Sequence, residues 1–271
     1  IAWPYIPIGM VLMLVILFFG MDDIYHWTNE ALFVKGGEEY DAILAGKQAF
    51  LNKPFFLART AIYAVLWTLL VWLVRRNSLA SDTNADLKLY QNSKYLSGAF
   101  IVVFAVTSSM CSWDWLMSIQ AHWYSTLFGW YCFASMFATM MAVAIMTTAY
   151  LKSQGYLPGV TDEHFHDMGK LMFAFSVGWA YLFYSQYMLI WYANMPEETL
   201  FFKIRIDHYS VTMYALILIN FMVPFLILMT RGAKRHLTTI CIASVIVIFG
   251  HWLDFFQMSV PGAVANMIDV H

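Results

Sequence analysis

Residues Thr238 to Phe256 read TTICIASVIVIFGHWLDFF, an apolar run that ends in His251 and Asp254. A run of this length is close to the ~20 residues an α-helix needs to cross ~30 Å of hydrocarbon. His251 and Asp254 are three apart and share a helix face, while Leu253 and the neighbouring phenylalanines point elsewhere. A charge near the bilayer centre costs roughly 2.5–3.5 kcal/mol, so such residues usually face a protein interior or water. This stretch predicts a membrane helix with a polar face turned inward.

A second run carries the same pattern. Thr107-Ser108-Ser109-Met110-Cys111-Ser112-Trp113-Asp114-Trp115 continues through Ser118 to His122. Extended as one helix at about 100° per residue, it places Thr107, Cys111, Asp114, Ser118 and His122 within roughly 80° of arc.

The rest of the chain agrees. Hydrophobic residues make up 61% of it and charged residues 12%, with a mean hydropathy of +0.62. A soluble domain carries about 25% charged residues, so no water-facing shell can be built. Seven helices are predicted, over 6–20, 55–74, 96–119, 128–150, 171–193, 212–229 and 238–256, as a single all-α domain over 1–271. No alternating ten-residue segments of a membrane barrel occur. The net charge of −2 comes without a basic run, and no nucleic-acid partner is expected. Cys111, Cys132 and Cys241 form no CxxC and read as small buried thiols. The eighteen methionines read as packing. The chain opens at Ile1 without an initiator methionine and is expected to be part of a longer polypeptide.

Loops after helices two, four and six hold nine Lys and Arg against five in the alternate loops. The positive-inside rule assigns the first set to the cytoplasm. Three acidic–histidine clusters then fall on the outer side: Asp22, Asp23 and His26 beyond a helix end at Gly20, then Asp114 with His122, then His251 with Asp254. The long outer loop from Met21 to Pro54, punctuated by Leu32, Phe33 and Phe50, is expected to be ordered, as a surface for water or another subunit. Pro224 predicts a kink in helix six, with Asn220 one turn earlier to satisfy freed backbone.

Each cluster has a chemical and a plainer reading. His251 and Asp254 either relay protons or bind a quinol hydroxyl at near-neutral pH, or only anchor the helix. Asp114 lies between Trp113 and Trp115, which also suits an interfacial aromatic belt. In that case Asp114→Asn would be nearly silent. Asp22 and Asp23 are either functional or simply solvated, with Arg59 pairing with one of them or snorkelling. On the other side, His164, His166, Asp167 and Lys170 read as a proton entrance or as an ordinary helix start. Metal at His164 and His166 is disfavoured, because residues i and i+2 point about 160° apart on a helix. No helix carries the paired histidines that a haem would want.

Several blocks resemble one family. They are Ala45-Gly46-Lys47, Leu51 to Phe56 (LNKPFF) with Arg59, Ser112 to Ile119 (SWDWLMSI), His122 to Trp130 (HWYSTLFGW), His166 to Lys170 (HDMGK), Ser185 to Glu198 (SQYMLIWYANMPEE) and Gly250 to Phe255 (GHWLDF). Together they resemble the F subunits of bacterial alternative complex III, a quinol:cytochrome c oxidoreductase, which are similar to the membrane subunits of polysulfide reductase-type enzymes. The resemblance implies a ten-helix protein of two four-helix bundles in the bacterial inner membrane, with about three helices before Ile1. It implies a sister membrane subunit of the same fold, an iron–sulfur subunit and c-type cytochrome subunits, alongside lipids. Iron–sulfur clusters and haem c would sit in those partners, with no cofactor bound by this chain, and quinol held chiefly by the sister subunit. The chain would then supply scaffold and polar half-channels for protons. The rival is a stand-alone proton-coupled secondary transporter, which predicts discontinuous helices near the midplane.

Overall fold

The computed structural model describes residues 3–83 and 87–267. These are 86% helical, with no strand among the described residues. Six helices are long and apolar enough to cross a membrane, which marks a multi-pass membrane protein. Their surfaces agree with that: Phe18 is 83% exposed, Val211 82% and Trp252 63%. Apolar exposure on this scale suits lipid and not water.

Packing divides the chain into two compact units, 1–122 and 123–271. The first holds α1 (Tyr5–Ile24), α2 (Ala42–Lys47), α3 (Lys53–Thr83) and α4 (Leu87–Trp115). Side-chain caps start α2 and α3. Asp41 accepts from the N–H groups of Ile43 and Leu44 at the head of α2. Asn52 accepts from the N–H of Phe55 at the head of α3. The segment between α1 and α3 is ordered by its own apolar residues, with Trp27, Leu32, Leu44 and Leu51 buried and Trp27 packed on Phe56 at 5.3 Å. Tyr63 and Trp67 of α3 and Cys111 of α4 form the buried seam between those two helices.

Two boundaries differ from expectation. The first helix runs on to Ile24, so Asp22 and Asp23 lie in its last turn and not beyond it. The third stops at Trp115 and does not carry on to 119. Leu116 has φ −111°, and Met117–Gln120 form a 3-10 turn. The Ser118 hydroxyl donates to the Asp114 carbonyl, which a continuing helix would reserve for a backbone N–H.

The second unit holds α5 (Leu127–Ser153), α6 (Asp162–Ala193), α7 (Pro196–Ile217), α8 (Val223–Leu228), α9 (Arg231–Arg235) and α10 (Leu237–Met267). Thr161 and His164 form a reciprocal cap on α6, and Asn194 ends that helix at φ 48°. The expected loop before residue 212 is largely helical: α7 begins at Pro196 and bends at Tyr209. A π segment, Leu218–Met222, then leads into α8. Pro224 lacks the N–H that would reach one turn back, and the π segment lies directly before it. Asn220 does not serve its own helix. Its amide donates to the Gly250 carbonyl of α10 at 3.2 Å.

Arg205, counted as a loop cation in the sequence, is buried in α7. It donates to the carbonyls of Gln257 (3.0 Å) and Met258 (3.1 Å) on α10. Pro261 cannot donate to the Gln257 carbonyl four residues earlier, so the guanidinium takes over an acceptor that the proline leaves open.

Candidate functional site

Five side chains from three helices of the second unit meet in its interior. Tyr131 and Ser135 lie one turn apart on α5, Trp179 on α6, and His251 and Asp254 on α10. His251 and Asp254 are fully buried. One carboxylate oxygen of Asp254 accepts from the Tyr131 hydroxyl. The other accepts from Ser135 Oγ at 2.9 Å and Trp179 Nε1 at 2.8 Å. Among the described residues, no Lys or Arg lies within ion-pair distance of Asp254.

The His251 ring does not bond Asp254 directly. Nδ1 is 3.7 Å from the carboxylate, beyond hydrogen-bond range, and 2.9 Å from Ser135 Oγ. The proton count then fixes the roles. Ser135 has one hydroxyl proton and gives it to Asp254, so it must accept from His251 Nδ1–H. In the neutral ring Nε2 then carries a lone pair, and it has no hydrogen-bond partner among the described residues. A buried carboxylate held by neutral donors, linked through a hydroxyl to an imidazole with an open acceptor, is an arrangement that can take up one proton and share it.

Asp114 stands in a different setting. In the first unit, Arg59 holds it by two bonds of 2.9 and 2.8 Å, and Tyr63 adds a third at 2.8 Å. The Arg59 guanidinium lies between the rings of Phe50 and Phe55, at 4.0 and 4.1 Å. Arg59 therefore neither snorkels nor serves Asp22 or Asp23. Thr107 and Cys111 do share the Asp114 face and meet α3, with Trp67 Nε1 donating to Thr107 at 2.8 Å. His122 lies past the helix end and pairs with Asp41. Burial would raise the Asp41 carboxyl, but the Leu44 N–H, the His122 ring and the Ile43 N–H outweigh it and hold it below its usual value. Asp22 pairs with Lys53 at 2.7 Å on the surface. Asp23 is exposed, and His26 opens a short 3-10 turn.

At the far end of the second unit, His164 is used as a cap, accepting from the Thr161 N–H at 3.1 Å. Asp167 and Lys170 form an exposed pair at 2.7 Å, and the Lys170 ammonium holds the Asp167 carboxyl low. His166 turns inward, 3.7 Å from Glu163 and 3.8 Å from Asp167. Burial, then the charges of Lys170 and Arg231, pull its pKa down.

Between this end and Asp254 lies an apolar layer. Ala138, Ala142, Ile145, Phe165, Met172, Leu228, Ile240, Ala243 and Val247 are its buried core. The α6–α10 seam can be followed from Met172 against Ser244 (3.8 Å) to Trp179 against Asp254. His166 and Trp179 are thirteen residues apart, about 20 Å along a helix. On that seam, Ser244 is occupied by the Ile240 carbonyl and Met172 sulfur, and Ser176 Oγ has no partner among the described residues. Among the described residues, no continuous hydrogen-bond chain runs along that seam.

Tyr131, Ser135 and Trp179 were not singled out from the sequence. The i,i+4 spacing of a hydroxyl pair in an apolar helix was the available signal. Among the described residues no group of three or more His, Cys, Asp or Glu side chains converges on a metal position. No known family model and no curated protein matches this chain.

Proposed function

We propose that this chain is a membrane subunit of a respiratory quinol:cytochrome c oxidoreductase and that Asp254, with His251, is its internal proton-exchanging group. The observation that carries the proton role is the Asp254 carboxylate buried among Tyr131, Ser135 and Trp179, with the His251 ring on the same serine and its Nε2 open. Isolated buried charge is expensive, and Asp254 has no cationic partner among the described residues to offset that cost. Asp114 differs, because a bidentate arginine is its partner. The block resemblance supports the oxidoreductase, the inner bacterial membrane, a ten-helix layout and the cytochrome, iron–sulfur and sister-subunit partners. On this reading α6 is a seventh span. Its residues 171–193 carry no Asp, Glu, Lys or Arg and equal about 35 Å of helix. Quinol oxidation releases protons, and the half-channel ending at Asp254 would accept them, while the apolar layer blocks passage to the other end.

The transporter reading is favoured by one observation, the interruption of α7–α8 at Tyr209 and at the π segment. Purification from native membranes separates the two: haem c absorbance co-purifying with the chain supports the oxidoreductase, and a colourless isolated chain supports the transporter. Within the complex, Asp254→Asn keeps the shape and removes the exchangeable proton. We expect at least a tenfold loss of quinol:cytochrome c turnover with subunit content unchanged. Full turnover and proton release in an intact Asp254→Asn complex would overturn the proton role.

A further inference from the structure

The end of the second unit away from Asp254 carries more positive charge than its carboxylates answer. Five cations gather there: Lys152, Lys170, Arg231, Lys234 and Arg235. Three carboxylates face them, and each is engaged. Asp162 lies 3.7 Å from Lys152, Glu163 pairs with Arg235, and Asp167 pairs with Lys170. Arg231 and Lys234 have no acidic partner among the described residues.

Lys234 is the unusual member. It is only 8% exposed, although a lone lysine is rarely buried. Gly169 makes this possible, because a Cβ there would lie 3.3 Å from Lys234 Cγ and 2.8 Å from Ile240 Cδ1. The lysine stem thus lies against the bare backbone of α6. Its ammonium sits 4.8 Å from the centre of the Phe173 ring, and Phe173 belongs to the apolar run of α6. The charge is therefore drawn toward the hydrocarbon border and away from open water. Burial and then Lys170 push the Lys234 pKa down, and Lys170, Arg231 and Lys234 all act on the buried His166 ring. His166 Nδ1 has no hydrogen-bond partner among the described residues.

We propose that Lys234, Arg231 and Lys170, with His166 behind them, bind the headgroup phosphate of an anionic phospholipid. A lipid fits better than a free anion because the ammonium lies over an apolar ring at the edge of a spanning surface, where headgroup phosphates reside. A cationic pocket between helices at this depth is a common form of anionic-lipid site. The proposal is independent of any role for Asp254.

The test uses the full chain in detergent, titrated with phosphatidylglycerol and separately with phosphatidylcholine, and followed by thermal shift and native mass spectrometry. We expect phosphatidylglycerol alone to raise the melting temperature and remain bound. Each cation contributes about fivefold at a membrane surface. Arg231→Gln should thus weaken phosphatidylglycerol binding about fivefold and Arg231→Lys should restore it. Lys234→Gln should weaken it at least as much. Arg231 is exposed, so its substitution keeps the test valid even if the Lys234 variant folds poorly. Equal response to both lipids, or unchanged phosphatidylglycerol binding in Arg231→Gln, overturns the proposal. Displacement of the lipid by millimolar inorganic phosphate also overturns it, in favour of a small-anion site.

Discussion

Two buried aspartates with similar neighbours in the sequence have opposite electrostatics, and that contrast decides what each can do. Asp114 is 0% exposed and Arg59 4%, so each neutralises the other. Removing one partner of such a pair leaves a buried unpaired charge and typically costs about 3–5 kcal/mol. Asp114→Asn should therefore destabilise the first unit by about 3 kcal/mol, since asparagine still accepts one bond. It should not be the nearly silent change that an interfacial aspartate would give. Replacing both residues with an apolar pair should recover most of the loss. Equilibrium unfolding in mixed micelles would check this, and a single variant as stable as the parent would refute it. Helical spacing and desolvation cost are local properties, so an inward-facing reading of Asp114 and Asp254 was available from the sequence beside an interfacial one. The sequence did not show their partners. Arg59 lies fifty-five positions from Asp114, and Ser135 well over a hundred from His251, and no periodicity reports contacts at that range. The Arg205–Gln257 bond was hidden in the same way, although Pro261 marked the carbonyl that needed a donor.

At the scale of elements, apolar runs located the helices well and their ends poorly. Hydropathy follows lipid contact, while ends are set by caps such as Asn52, Thr161 and Asn194 and by competition such as that of Ser118 for the Asp114 carbonyl. The helical part of α7 before Tyr209 was missed because its charged residues resemble a loop. The contact of α10 with the π segment was also out of reach, and it is tight. A Cβ on Gly250 would lie 2.0 Å from Asn220 Oδ1 and 2.6 Å from Ile219 Cγ2. Gly250→Ala should cost about 1–3 kcal/mol through overpacking. Adding Asn220→Ala removes the nearest clashing atom, so the double variant should be more stable than the two single losses predict. Additive melting-temperature losses would show that the two segments do not press on each other.

At the scale of the whole molecule, what could be read early was a class, a multi-pass helical membrane protein, and what could not was the grouping of its helices into two units. That grouping depends on which buried faces choose one another. The nine-residue apolar layer of the second unit has a further consequence in electrical terms. A layer with few polar atoms and no ionisable group is an insulator, and most of a transmembrane voltage falls across it. A full elementary charge crossing 100 mV changes its free energy by about 2.3 kcal/mol, or roughly fiftyfold in an equilibrium. On the proposed reading, a proton that reaches Asp254 from the Tyr131 side never crosses that layer. Its uptake should therefore be nearly blind to voltage. In vesicles held at an imposed potassium-diffusion potential, the Asp254-dependent part of turnover should change less than twofold over 100 mV. A tenfold change would mean that the proton crosses the layer, and Asp254 would then be a station on a path through the membrane and not the end of a half-channel.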